Sequence, residues 1–255
     1  MMRQRVADVL LLGKRNLLRF RRSPELVIGF LVQPVMFILL FVYVLGGAIQ
    51  TPGYSYVDFL MPGIIVQTIA FGGFVTAIAL AEDLKKGLID RFRSLPIARS
   101  AVLAGRTISD IVTNMAALAV MLIVGTIIGF SFSANLAEIL IGVLLLLLMG
   151  YAFSWIFALI GLSSATPEAA QQVGFIIIFP LTFASSAFVP IESMPSWLEA
   201  FATVNPFTVI VDAIRALWLG APAGNSVWGA LAWSVGLIAF FAPLATWRYK
   251  RTVTS

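Results

Sequence analysis

The sequence predicts an all-α integral membrane protein built as a bundle of six membrane-spanning helices. Three observations carry that prediction. First, 60% of the 255 residues are hydrophobic and 11% are charged, against about 45–50% and about 25% in soluble domains. A water-soluble globule with a mean hydropathy of +0.98 has too little polar surface to cover its core. Second, six stretches contain no Asp, Glu, Lys or Arg: residues 26–47, 59–81, 111–132, 139–162, 173–190 and 227–247. A bilayer core of about 30 Å needs about 20 such residues in a helix. Third, 16 of the 17 Lys and Arg fall in three segments that an even number of spans would place on one side.

The stretches are apolar on all sides, as lipid-embedded helices are, whereas a soluble surface helix shows one apolar stripe. They are too long and too little alternating for barrel strands. The stretch at 173–190 is the shortest, with Pro180 in its middle. The first begins after a 25-residue lead and is too long for the apolar region of a cleavable signal. It is expected to be retained.

The basic residues set the orientation. Arg3, Arg5, Lys14, Arg15, Arg19, Arg21 and Arg22 precede the first span. Lys85, Lys86, Arg91, Arg93, Arg99 and Arg106 lie between the second and third. Arg248, Lys250 and Arg251 form the tail. The positive-inside rule places these segments and both termini in the cytoplasm, and only Arg215 falls outside. The net charge of +5 therefore reflects orientation and contact with an anionic inner leaflet, and no nucleic-acid partner is expected.

The lead, residues 1–25, reads as an amphipathic interfacial helix. Val6, Val9, Leu10, Gly13, Leu17 and Phe20 share an arc of about 100° flanked by basic residues. The cytoplasmic loop at 82–110 carries a short helix between Gly87 and Pro96, with Leu88, Phe92 and Leu95 on one face and Asp90, Arg91 and Arg93 off it. An amphipathic knob of this kind suits a partner's groove. Ser100 reads as an N-cap for the helix entering the third span, with Arg106 and Asp110 as a supporting i, i+4 pair. Thr166-Pro167-Glu168 reads as the start of the fifth span.

The outer segment at 191–226 shows two helix starts. One is a capping box beginning at Ser196 after Pro195; the other is the Asn205-Pro206 cap and N1 pair. Phe207 to Leu219 is apolar, too short to span and interrupted by Asp212 and Arg215. It reads as a re-entrant or surface-lying helix. Inside the spans Gln33, Gln67, Thr68, Asn114, Thr182, Ser185 and Ser186 are candidates for lining a cavity, although each can equally bond a neighbouring helix. The small residues from Ala184 to Ala187 permit close helix contact.

Absences narrow the chemistry. With no Cys and no His there is no thiolate or imidazole metal site and no His-based nucleophile pair. There is also no G-x-x-x-x-G-K-[ST] phosphate cradle, since the one Gly-Lys pair, Gly13-Lys14, is followed by Arg15. No metal or other cofactor is expected in this chain.

Several strings, in order along the chain, resemble the permeases of the ABC-2 export family, the daunorubicin-resistance type above all. They are Glu82-Asp83, the run from Asp90 to Pro96, Gly105-Arg106 with Asp110, Thr166 to Ala169, Ser186 to Pro190, Met194-Pro195 with Trp197-Leu198, and Asn205-Pro206. The resemblance implies a six-span, type V exporter-like half-transporter at 26–247 with a cytoplasmic tail at 248–255. It would pair with a second copy or a related permease. It also implies two copies of a separate cytoplasmic ATPase, which would bind ATP and Mg, in a bacterial or archaeal inner membrane. Coupling to the ATPase is assigned by resemblance to Leu88, Asp90, Arg91, Phe92, Arg93, Leu95 and Pro96. An outer gate is assigned to Pro195, Trp197, Asn205, Pro206, Asp212 and Arg215. Gln33, Gln67, Thr68, Thr182, Ser185 and Ser186 are candidates for the path of a hydrophobic or amphipathic cargo (drug, lipid or glycolipid). An ion-coupled transporter or channel would call for mid-membrane charge, which the six stretches lack. A lipid-directed membrane enzyme would need a convergent acid-base set, which the outer charges do not form.

Overall fold

The computed structural model describes residues 24–47, 49, 51, 53, 55–86, 99–222 and 224–252. Among them all regular structure is helical. Helix α1 (Pro24–Leu40) passes into a π turn at Phe41–Leu45. It is followed by α2 (Tyr56–Lys85), α3 (Arg99–Ile128), α4 (Leu136–Ser163) and α5 (Pro167–Phe183). A 3-10 turn at Ile191–Ser193 leads to α6 (Ser196–Val204), α7 (Pro206–Leu219) and α8 (Ser226–Thr252). The expected coupling helix between Gly87 and Pro96 and all but the last two residues of the expected interfacial lead at 1–25 lie outside the described residues.

Helices start where side chains satisfy the first free N–H groups. The Ser55 hydroxyl accepts from the Asp58 N–H at 3.1 Å. Asn135 and Glu138 form a reciprocal capping box that opens α4. Thr166 caps α5, with Pro167 at its first position, and Asn205 caps α7 ahead of Pro206. Two expected caps are corrected. Ser100 lies inside α3, which already includes Arg99. At Ser196 no capping box forms: Pro195 flanks α6 and provides no side-chain cap, and its carbonyl oxygen takes the Leu198 and Glu199 N–H groups.

Among the described residues four helices are long and apolar enough to cross a membrane: α2, the Ser109–Ile128 part of α3, α4 and α8. The α6–α7 pair, bent by 69°, would make a fifth if it were one span. At the first and fifth of the six predicted stretches, α1 and α5 have 17 α-helical residues each. α1 runs on through the π turn to Leu45, whereas α5 ends at Phe183, so residues 184–190 do not continue it as the rest of the 173–190 stretch.

α2 occupies the centre, packed against α3, α4, α5 and α7, while α8 packs on α4 and α7. Its residues from Phe59 to Ala70 are buried without a break. Close approach needs glycine at particular contacts. A Cβ at Gly63 would lie 2.1 Å from the Ala187 carbonyl oxygen, and one at Gly161 would lie 2.5 Å from that of Ala77. The small-residue stretch at 184–187 thus makes the close contact its composition permits. The outward surface is apolar, with Met36, Ile127, Leu144, Ile176 and Phe240 exposed, which suits a lipid environment.

Candidate functional site

Three polar arrangements stand out within this apolar bundle. The first locks the turn after α5 onto α7 and α2. Arg215, on α7, is 5% exposed. Its Nε and one terminal nitrogen donate to the Phe59 carbonyl oxygen at 3.1 and 2.8 Å. The same terminal nitrogen also donates to the Ser186 carbonyl oxygen at 2.7 Å. The other donates to Ser186 Oγ at 3.1 Å and to Asp212 Oδ1 at 3.0 Å. The guanidinium carbon lies 3.6 Å from the centroid of the Phe59 ring, a cation–π contact. Ser186 Oγ in turn donates to Asp212 at 2.8 Å, and its backbone N–H donates to Thr208 Oγ1 at 3.1 Å. Asn205 Nδ2 donates to the carbonyls of Leu181 and Ala184, each at 2.7 Å. The freed carbonyls of the α5 terminus are therefore bonded by a side chain from the next element, as a buried helix end requires.

Near the same end, Trp218 is fully buried. Its Nε1 donates to the Ile139 carbonyl oxygen at 3.2 Å, and its own carbonyl oxygen accepts from the Ser133 N–H at 2.9 Å. Gly142 leaves room for the indole, since a Cβ there would sit 2.2 Å from Nε1. The Asp58 carboxylate accepts from the Ser131 N–H at 3.0 Å and ties the start of α2 to the α3–α4 loop.

The second arrangement is a buried charge cluster. Asp110 Oδ2 accepts from Thr76 Oγ1 of α2 at 2.6 Å and from Ser154 Oγ of α4 at 2.7 Å. Arg106, one turn earlier, donates to the Val75 carbonyl oxygen at 3.1 Å and reaches Thr76 Oγ1 at 3.5 Å. The two residues expected as an i, i+4 supporting pair on the helix entering the third span do lie on that helix, and both are buried among helices. Asp110 lies inside the apolar segment Ser109–Ile128. The physical reason is the length of α3, which carries helix about three turns beyond the charge-free stretch and brings Asp110 to hydroxyls on α2 and α4.

The third is a cleft between α1 and α2, lined by Gln33, Pro34, Phe37, Gln67, Thr68 and Phe71 and enclosing about 250 Å³, part of it open to the surroundings. Gln67 is 2% exposed, and its Nε2 has no hydrogen-bond partner among the described residues. Thr68 donates to the Ile64 carbonyl oxygen one turn back, at 2.7 Å.

The sequence candidates therefore divide. Gln33, Gln67 and Thr68 come together at the cleft. Thr182 and Ser185 are buried and bond carbonyls of their own segment, those of Ile178 and Thr182. Ser186 belongs with Asp212 and Arg215. Asn205 and Pro206 stand at the α7 start beside that knot. Pro195 and Trp197 do not join it, and Trp197 is 73% exposed. Leu88, Asp90, Arg91, Phe92, Arg93, Leu95 and Pro96 lie outside the described residues. Sequence reasoning missed Phe59, Thr76, Ser154, Thr208 and Trp218. Thr76 and Ser154 were discoverable as hydroxyls in apolar helices. Phe59 left no signal, because its contribution is a main-chain carbonyl and a ring. Among the described residues no three His, Cys, Asp or Glu gather as a metal site.

The ABC-2 type transporter family matches residues 7–219. A daunorubicin resistance ABC transporter permease protein of Streptomyces coeruleorubidus is 34% identical over 92% of this chain and 83% of its own length. A probable doxorubicin resistance ABC transporter permease protein of Mycobacterium tuberculosis is 29% identical over 98% of this chain and 90% of its own. A probable multidrug ABC transporter permease of Escherichia coli is 23% identical over 71% of this chain and 49% of its own. A match of this extent, joined to apolar helices of spanning length, makes this chain a member of the ABC-2 type transporter family.

Proposed function

We propose that this chain is the permease subunit of an ATP-driven exporter that moves a hydrophobic or amphipathic cargo outward across a prokaryotic inner membrane. The observation that carries the reading is likeness along nearly the whole chain to permeases named for daunorubicin and doxorubicin resistance. In this reading the chain crosses the membrane six times with both termini in the cytoplasm. It pairs with a second permease and docks two copies of a separate ATPase, which supply ATP and Mg chemistry. The segment at 88–96 meets the ATPase, with Phe92 and Leu95 as the apolar contact. The knot of Ser186, Asn205, Asp212 and Arg215 holds the outer end closed until nucleotide-driven rearrangement of the paired bundles opens it.

The test is transport into inverted membrane vesicles with the ATPase co-expressed. The expected result is uptake of doxorubicin that requires ATP and Mg, and that Phe92→Asp abolishes while leaving the protein folded and ATP hydrolysis running. Purification without any ATPase, together with uptake that follows a proton gradient, overturns it.

One observation favours the ion-coupled alternative: Asp110 is a carboxylate inside an apolar helix, as proton relays are. Its bonding argues for a brace, since it accepts from two hydroxyls and lies one turn from Arg106. Asp110→Asn keeps transport ATP-driven if the exporter reading holds. In an ion-coupled carrier the same change removes gradient-driven uptake.

A further inference from the structure

Among the described helices of spanning length, α8 turns the most surface outward. Of its most apolar 18 residues 11% are buried, against 83% in α2. One side packs on the bundle, where Ala245 and Tyr249 cluster with Trp155 and Leu162 of α4. The other side is open. Trp233, Phe240, Trp247 and Arg251 follow one another at spacings of seven, seven and four, which puts them on one helix face. All four are exposed, and so is Lys250, three residues after Trp247.

This helix changes character along its length. Trp228, 74% exposed, stands at its start. Trp247 comes 19 residues later, about 28 Å along the axis. That rise matches a hydrocarbon core of about 30 Å, and tryptophans at the two ends mark the two membrane–water boundaries. Phe240 falls between them, at the depth of acyl chains. Lys250 and Arg251 fall about one turn past Trp247, at the depth of lipid phosphates. The Arg251 guanidinium carbon lies 4.2 Å from the Trp247 ring centroid, a cation–π contact that keeps the charge at the boundary. An acyl chain along Phe240 with a phosphate at the two cations uses every part of this face. A protein partner has no need of tryptophans at both boundaries. A zwitterionic lipid brings its own ammonium to its phosphate, so the two cations favour a headgroup with net negative charge.

We propose that this face is a docking site for one anionic phospholipid of the phosphatidylglycerol class. Lys250 and Arg251 take the headgroup phosphate, Trp247 lies at the level of the glycerol backbone, and Phe240 meets the acyl chain. The site is discrete, unlike the general attraction of basic segments to an anionic leaflet, because it concentrates on one end of one helix. Its place in the inner leaflet rests on both termini being cytoplasmic; binding itself does not.

The test is native mass spectrometry of the full chain with its ATPase, titrated in nonionic detergent with dioleoyl phosphatidylglycerol or dioleoyl phosphatidylcholine. The dissociation constants of the first bound lipids give the preference. The unaltered chain should prefer phosphatidylglycerol. Lys250→Gln combined with Arg251→Gln should lower that preference by about fivefold or more, fivefold being the effect of one basic residue near a membrane surface. Lys85→Gln combined with Lys86→Gln removes equal charge from exposed side chains at the end of α2 and should lower it by less than about twofold. Trp247→Leu keeps every charge and should lower it about twofold by releasing Arg251, with Trp247→Phe recovering most of the loss. Because both cations are exposed, the thermal midpoint of their double variant without added lipid should stay at the wild-type value, which separates lost binding from lost folding. An unaltered chain without preference overturns the assignment. So does an equal effect of the two double variants, which is general surface attraction. If the Lys250 and Arg251 variant keeps its lipid and sheds the ATPase, a protein occupies this face and the assignment falls. Lipid selection through Lys250 and Arg251 without ATP-driven doxorubicin uptake overturns the exporter reading alone. ATP-driven uptake without that selection overturns the lipid site alone.

Discussion

Arg215 fastens α7 to α2 by holding one residue twice: its guanidinium donates two hydrogen bonds to the Phe59 carbonyl oxygen, and its central carbon lies 3.6 Å from the centroid of the same residue's ring. Phe59 is 156 positions away in sequence. A planar fork of donors can serve a carbonyl, a hydroxyl, a carboxylate and a ring face together, which an ammonium group cannot do. Asp212, the acid in this knot, keeps 42% of its side chain exposed, so the cation is compensated largely by main-chain carbonyls.

Removing that fork should be costly. Arg215→Ala leaves the carbonyls of Phe59 and Ser186 without this donor in a buried setting and is expected to destabilise by about 2–4 kcal/mol. Arg215→Lys should recover less than half of this, because one ammonium cannot span both carbonyls. Thermal unfolding in detergent reads the order wild type, Lys, Ala. Equal midpoints for Lys and wild type would refute the fork geometry.

The Asp110 cluster should respond to charge and to bonding separately. Asp110→Ala leaves the buried hydroxyls of Thr76 and Ser154 without their acceptor, at an expected cost of about 2–4 kcal/mol. Ser154→Ala removes one donor of two and should cost about 1–2 kcal/mol. A cycle combining Asp110→Ala with Ser154→Ala should be less than additive, since the two groups share a bond. Full additivity counts against the contact.

Glycine contacts give a control within one chemistry. Gly63→Ala drives a methyl into the Ala187 carbonyl oxygen at 2.1 Å, which the backbone must move to relieve, and should lower stability by about 1–3 kcal/mol. Gly236, in α8, has nothing within 4 Å of the added Cβ, so Gly236→Ala should be neutral or stabilising by up to about 1 kcal/mol. Midpoints of the two variants, measured side by side, check the packing of α2 on the 184–187 turn.

The α5 start should titrate in acid. Glu168 is held below the usual carboxylate range by its own backbone N–H and then by the Thr166 hydroxyl. A lowered folded-state value means that its stabilising contribution is present above the ordinary Glu range and is lost as pH falls through the lowered value. Glu168→Gln should therefore be less stable than wild type at neutral pH, and the difference should vanish on acidification below that range. Melting curves across pH 3–7 (about 4.3 being the ordinary Glu value) check the direction. A gap that widens in acid would contradict it.

The sequence by itself determined the class of protein and its family. Charge-free stretches long enough for a bilayer, basic residues gathered into three segments, and an ordered set of short strings are local properties, readable because hydropathy and motif spacing act over a few turns. The caps at Thr166 and Asn205 were legible for the same reason. Tertiary structure decided the polar geometry. That Arg215 is buried, and that Asp110 and Arg106 sit among helices and not in a solvated loop, depends on which carbonyls and hydroxyls of distant helices come within about 3 Å. No residue pattern encodes a main-chain acceptor such as the Phe59 carbonyl. The break of α5 at Phe183 was hidden likewise: residues 184–190 are as apolar as a span, and they turn because Asn205 and Arg215, arriving from the next element, satisfy the carbonyls that a continued helix would have bonded itself.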